Sequence, residues 1–205
     1  SMAANGKAAD DGRVTDLANT VDDRLEEARG FGVFRKWWSG WYYGPGAGNY
    51  TTVSTSVSQL TQSWAPVWVP HAVTVDRIGM EITTGGAGPT VTLAIYGSTA
   101  NDAPGDLILN AGTINPSTNG FKEITISQSL SRGLHWLSFH TTDKITYRTI
   151  IGTVFGVPAY QGGAYASQPH NSLRAYSSGL ATPSAPAPGS LSGGIYAPLI
   201  QVRAS

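Results

Sequence analysis

The sequence predicts an all-β protein, an antiparallel jelly-roll-like β-sandwich preceded by a short N-terminal coiled-coil helix. Three observations predict it. Helical periodicity is confined to the first thirty residues, the remainder is a series of short β-branched and aromatic runs, and Gly, Pro and Asn turns separate those runs. A length of 205 residues suits one sandwich-sized core with an appendage. No apolar run approaches the ~18 residues of a membrane-spanning helix, so no membrane insertion is expected.

From Arg13 to Arg29 the apolar residues Val14, Ala18, Val21, Leu25 and Ala28 are spaced 4, 3, 4, 3, which is an a/d seam. Charged residues fill most of the other positions, and Gly30 offers a C-cap. A helix this short is marginal alone in water, near the ~12–15 residue limit, and needs a partner. That partner is either the chain's own β domain or identical helices, and the strict a/d seam favours a coiled coil between copies. The expected organisation is a helical stalk at 1–30, an aromatic and Gly-rich collar and linker at 31–62, and the sandwich at 63–205.

The expected strands are Ala72–Val75, Ile78–Thr83, Thr90–Tyr96, Asp106–Leu109, Glu123–Ile126, Leu134–His140, Arg148–Phe155 and Ile195–Val202. Turn chemistry lies between them at Gly85–Pro89, Asn101–Gly105 and Asn115-Pro116, and Asn119-Gly120 reads as a hairpin because both positions tolerate positive φ. From Gln161 to Gly194 the chain is rich in Pro, Ser, Ala and Gly and poor in strand signal, as functional or mobile loops are.

Composition narrows the chemistry. The formal net charge is +0 with a pI near 6.9, which gives no footprint for nucleic acid. Without cysteine there is no thiolate metal site, thiol nucleophile or disulfide. After Gly30 the only carboxylates are Asp76, Glu81, Asp102, Asp106, Glu123 and Asp143, and nothing marks two of them as a catalytic pair. His135 and His140 are five apart on one expected strand and point to opposite faces, so they cannot share an ion. Gly-Lys-Ser/Thr loops, Rossmann glycines, nucleophile elbows and zinc-protease motifs are absent from the sequence. No enzyme activity, metal or cofactor is expected. Ser1-Met2-Ala3-Ala4 has no leader pattern and reads as a cleavage scar, so secretion is not inferred from it.

Aromatic residues are the remaining signal. Trp37, Trp38, Trp41, Tyr42 and Tyr43 crowd the segment after the helix, where packing in a collar is favoured over a binding surface. Trp136 alternates with Leu134 and belongs to a core. Tyr160, Tyr165, His170 and Tyr176 lie in or beside the Gly/Ser/Pro stretch, where little regular structure is available to bury them. They are the candidate binding residues, with Trp64, beside Pro66 in an edge-like segment, added to them.

In order, the runs Val73–Gly79, Val91–Tyr96, Pro104–Ile108, Ala111–Ile114, Glu123–Ile126 and Leu130–Leu137 resemble the distal domain of tail fibres and minor tail proteins of tailed bacteriophages, particularly those of actinobacteria. The resemblance is strongest from about Val69 to Phe139, and the Asp22–Arg29 run looks like the stalk before such domains. It implies a homotrimer on a coiled-coil stalk, placed with other tail proteins in the distal tail of a virion. There it would adhere to a glycan or another envelope component of the host cell surface. His135 departs from the tyrosine these domains often have. Other classes fit the strands: a carbohydrate-binding module of a secreted enzyme, which has little use for the a/d helix, a phage depolymerase tip, which would release oligosaccharide from the host wall, and a purely structural virion part.

Overall fold

The computed structural model describes residues 36–45, 50–58, 60–100, 102–152, 174–178, 192–194 and 197–205. The a/d segment Val14 to Ala28 and the 1–30 stalk lie outside the described residues. The described chain is an all-β antiparallel sandwich. Its strands are β1 (Tyr42–Tyr43), β2 (Tyr50–Val57), β3 (Thr61–Val69), β4 (Val73–Thr84), β5 (Val91–Ser98), β6 (Pro104–Ile114) and β7 (Gly120–Leu130). They continue with β8 (Gly133–Thr141), β9 (Ile145–Gly152), β10 (Arg174–Ser178), β11 (Ser192–Gly194), β12 (Ala197–Pro198) and β13 (Ile200–Ala204).

The pairings are nested. β2 pairs with β9, β3 with β8, β4 with β7 and β5 with β6, as if one long hairpin had been rolled up. β4 also meets β9, and β5 meets β8, which gives one sheet the order β2-β9-β4-β7 and the other β3-β8-β5-β6. That is jelly-roll connectivity. The C-terminal strand fills a fork in the first sheet: β12 pairs with β9 where β9 leaves β4, and β13 pairs with β4. β10 and β11 extend the second sheet beyond β3.

Several expectations need correction. The segment 31–62 is not a linker throughout, because β1, β2 and the start of β3 belong to the two sheets. The Ser/Thr-rich β2 is held by backbone pairing along all eight of its residues, which a hydropathy pattern does not show. Ala72–Val75 and Ile78–Thr83 merge into one long β4. Asn119-Gly120 closes no hairpin: β6 and β7 lie in different sheets, and the Asn119 side chain accepts from the Gly85 amide at 2.9 Å instead. The 161–194 stretch, poor in strand signal, nevertheless contributes β10 and β11. Pro66 sits inside β3, where the missing N–H costs no ladder bond. β10 pairs only with Thr61 to Trp64, so Pro66 lies beyond its reach.

Between the sheets, Val75, Ile78, Met80, Ile82, Tyr147 and Val202 of the first meet Val67, Val69, Leu93, Ile95, Leu137 and Phe139 of the second in one apolar cluster. The Phe139 and Tyr147 rings meet edge to face with centroids 4.6 Å apart. His135 is buried beside Val67, and burial pushes its pKa below the ordinary histidine range against a weaker opposing contact with the Gly133 carbonyl. Its neutral form is therefore the one the fold prefers. Stability from this group is complete above the unfolded value of about 6.5 and declines as pH falls below it, because the unfolded chain then binds the proton more readily. Melting temperature should fall from about pH 7 to about pH 5 in the parent, and His135→Phe should flatten that decline. An unchanged pH profile in the variant would remove His135 from this role.

Candidate functional site

The segment leading into β1 presents aromatic rings to solvent on a fixed backbone. Trp37 is buried, and its ring stacks on Tyr43 with centroids 4.4 Å apart and planes 2° from parallel. The Trp37 amide donates to His71 Nε2 at 3.1 Å. His71 Nδ1 lies 2.9 Å from the Ala72 carbonyl, so the tautomer with hydrogen on Nδ1 satisfies both contacts. The Trp38 amide donates to the Tyr43 hydroxyl at 2.5 Å. A β-turn follows, closed by Trp41 N–H to the Trp38 carbonyl at 3.2 Å, with Gly40 at φ 80, the left-handed conformation a type II turn needs at its third residue. Gly40 N donates to the Ala204 carbonyl at 2.8 Å and Ala204 N to the Trp41 carbonyl at 3.1 Å, which ties the turn to the end of β13.

Trp38 and Trp41 flank this turn and are 66% and 68% exposed. At that exposure neither ring belongs to the core. The collar reading therefore divides: Trp37 is consumed by packing, while Trp38 and Trp41 are displayed. The alternation of burial in a non-repeating segment is decided by the turn, and the sequence carries no signal for it.

Tyr42 follows Trp41 and connects the turn to the outer face of the first sheet. Its ring meets Phe121 edge-on at 5.6 Å, and its hydroxyl donates to the Glu123 carboxylate. Phe121 is an exposed ring lying across Gly79, where an added Cβ would come within 2.7 Å of it. It also walls an open groove of about 490 Å³ lined with Asn115, Ser117, Thr118, Lys122 and Glu123.

The same outer face consumes the carboxylates. Arg203 binds Asp76 through two hydrogen bonds of 2.9 and 2.7 Å, and Arg148 binds Glu81 through two of 3.0 and 2.9 Å. These arginines hold both carboxyl groups below their ordinary range, so both are ionised at neutral pH. Glu123 faces Arg77 at 3.5 Å besides accepting from Tyr42. Asp102 sits in the turn between β5 and β6, where its amide donates to the Thr99 carbonyl, and Asp143 accepts from the Lys144 amide. Among the described residues no group of three His, Asp or Glu side chains is placed to hold a metal ion.

Of the expected binding residues, Tyr160, Tyr165 and His170 lie outside the described residues. Tyr176 is on β10, its backbone opposite Ser63 and Ser192, rather than on a loop. Trp64 is not at an accessible edge: β3 is flanked by β8 and β10 at that position, and the side chain is fully buried. It meets the Tyr96 ring at 6.1 Å and 73°.

No family model matches the chain, and no curated protein matches it. Among solved structures, the cysteine protease and lectin-like domains of Cwp84, a surface layer associated protein of Clostridium difficile, align with a TM-score of 0.48 at 9% identity, over 74% of this chain and 36% of that chain. The same clostridial protease after propeptide cleavage aligns with a TM-score of 0.48 at 10% identity, over 76% of this chain and 40% of that chain. A carbohydrate-binding module from Cellvibrio mixtus lichenase 5A, in complex with cellotriose, aligns with a TM-score of 0.30 at 17% identity, over 57% of this chain and 99% of that chain. The chain thus spans less than half of the Cwp84 chains, and at TM-scores below 0.5 none of the three fixes what this sandwich binds.

Proposed function

We propose that this β-sandwich is a non-catalytic glycan-recognition module whose contact surface is the Trp38–Trp41 turn. The observation that carries the reading is the pair of two-thirds-exposed indoles on a turn braced by Tyr43 and Ala204. Flat apolar rings cover the C–H faces of sugars, and a rigid backbone means little ordering entropy is lost on contact. The polar groove at Phe121 offers hydroxyl and amide groups for a longer chain. Asp76, Glu81 and Glu123 are engaged by arginine or tyrosine, which supports a binding role over hydrolysis. In the setting that the tail-fibre resemblance suggests, the glycan belongs to a bacterial envelope and the chain to the distal tail of a virion.

Replacing both Trp38 and Trp41 by alanine is expected to reduce binding to whole bacterial cells and envelope polysaccharide at least tenfold, with the melting temperature nearly unchanged. The parent should release no reducing ends from the same polysaccharide. Undiminished binding by the double variant would overturn the assignment, and a change in its oligomeric state would make the turn a contact between copies instead.

The a/d seam Val14, Ala18, Val21, Leu25 and Ala28 supports a homotrimer, and three copies of the turn in one molecule would multiply apparent affinity for a repeating glycan by ~10²–10⁴. Light scattering should give a trimer, and Leu25→Asp should weaken it by placing a charge in the seam. A monomer at micromolar concentration would refute the stalk.

A further inference from the structure

The groove beside Phe121 lies where the chain passes from β6 in the second sheet to β7 in the first, and its floor is a fixed loop. The Gly85 amide donates to Asn119 Oδ1 at 2.9 Å and the Gly86 amide to the Pro116 carbonyl at 3.2 Å, so residues 115–119 are tied to the turn between β4 and β5. The contact is close enough that a Cβ on Gly85 would come within 2.0 Å of the Pro116 oxygen. Within the loop the Ser117 amide donates to Asn115 Oδ1 at 2.9 Å, which makes Nδ2 the remaining, donating end of that side chain.

The charges of the groove are unbalanced. Lys122 Nζ donates to Thr118 Oγ1 at 2.7 Å, and none of the ion pairs among the described residues includes it. An ammonium has three N–H donors, so two remain, and the Thr118 hydroxyl that accepts from it still has its own hydrogen to donate. Glu123 also lines the groove, but its carboxylate is taken by the Tyr42 hydroxyl and by Arg77 at 3.5 Å. Donors thus outnumber acceptors around a cation that lacks a counter-charge. Phe121 adds a different requirement: its ring lies across the side-chain-free Gly79, meets Tyr42 edge-on and is exposed. A ring held in this way suits the C–H face of a sugar. A bare anion would leave the ring unused, and a neutral sugar would leave the ammonium without an opposite charge, whereas a sugar bearing an oxyanion meets both.

We infer that this groove binds an anionic sugar unit, its ring against Phe121 and its carboxylate or phosphate oxygens against Lys122, Thr118 and Asn115. This rests on the reading above for the ligand being a saccharide, and adds that the glycan carries negative charge, which is received apart from the Trp38–Trp41 turn.

The test uses the isotope-labelled full chain, titrated separately with glucuronate, galacturonate, glucose 6-phosphate, glucose and inorganic phosphate, and followed through the backbone amides of Ser117, Thr118 and Lys122. At least one charged sugar should move these amides saturably, about tenfold more tightly than glucose or phosphate, and added sodium chloride should weaken it. Whether a uronate or the phosphate ester binds more tightly identifies the oxyanion. Lys122→Gln should lower that affinity about tenfold, and Phe121→Ala should lower it while leaving inorganic phosphate unaffected; both side chains are at the surface, and melts would confirm that both variants fold. The inference is overturned if no charged sugar moves the groove, if inorganic phosphate binds as tightly as the charged sugars, or if Lys122→Gln binds them unchanged. It is overturned equally if the shifts vanish in the Trp38→Ala/Trp41→Ala variant, which would place the anion at the turn. Whole-cell binding left intact by that double variant, with the groove still responding to charged sugars, would refute the turn and leave the groove standing. Reduced cell binding with a silent groove would do the reverse.

Discussion

Tyr147→Ala is expected to lower the melting temperature by about 10 °C, corresponding to about 3–5 kcal/mol, with the oligomeric state unchanged. Tyr147 has no accessible surface, and it joins the two sheets through its edge contact with Phe139. It also stands where β9 passes from β4, its partner at Ile82, to its pairing with β12. Truncation would open a cavity at the fork in the first sheet, where neighbouring strands already diverge and collapse is hindered. The loss is a large fraction of a typical total stability of about 5–15 kcal/mol. Tyr147→Phe should recover most of it. Thermal and denaturant melts of the three proteins would decide the matter, and a shift of only a few degrees for Tyr147→Ala would show that the fork relaxes around the gap.

Trp37→Ala should affect stability and binding together. The ring is buried, stacked on Tyr43 and part of the main core cluster, so truncation is expected to cost about 3 kcal/mol. Tyr43 in turn accepts from the Trp38 amide, and loss of its stacking partner frees the hydroxyl that holds the turn. Binding to cells should therefore fall with Trp37→Ala even well below its melting temperature, whereas Trp37→Phe keeps a stacked ring and should retain most of it. In melts, Trp38→Ala/Trp41→Ala should behave like the parent, which separates the supporting ring from the displayed ones. If Trp37→Ala binds normally at low temperature, the brace through Tyr43 is not what positions the turn.

The all-β class was legible because strand signals depend on local chemistry. Alternating Val91, Leu93 and Ile95 against Thr92 and Ala94, and Leu137 and Phe139 against Trp136 and Ser138, specify strands whatever they pair with. Turn residues such as Asn101 to Gly105 were legible for the same reason, and that segment does join a paired β5 and β6. Where pairing supplies the order, the sequence was silent. β2 is Ser and Thr along most of its length, and β3 carries a proline that argues against a strand until the short reach of β10 is known.

Chemistry was legible in part. That Asp102 belongs to a turn follows a sequence reading, but the arginine partners of Asp76 and Glu81 are 127 and 67 residues away and were invisible. The same limit explains the aromatic residues. Trp37, Trp38 and Trp41 are alike in the sequence, and only a turn tied to a strand 160 residues later buries the first and exposes the others. Trp136 is a core residue as its alternation implied, but its cluster, with Trp64, Ala94 and Tyr96, lies on the face of the sheet opposite the inter-sheet core, because period-two alternation marks which residues share a side and not which side that is. Composition and periodicity thus determined the strands and the poverty of charge. The tertiary structure alone decided which rings are displayed and which are buried, since exposure is set by neighbours distant in the chain.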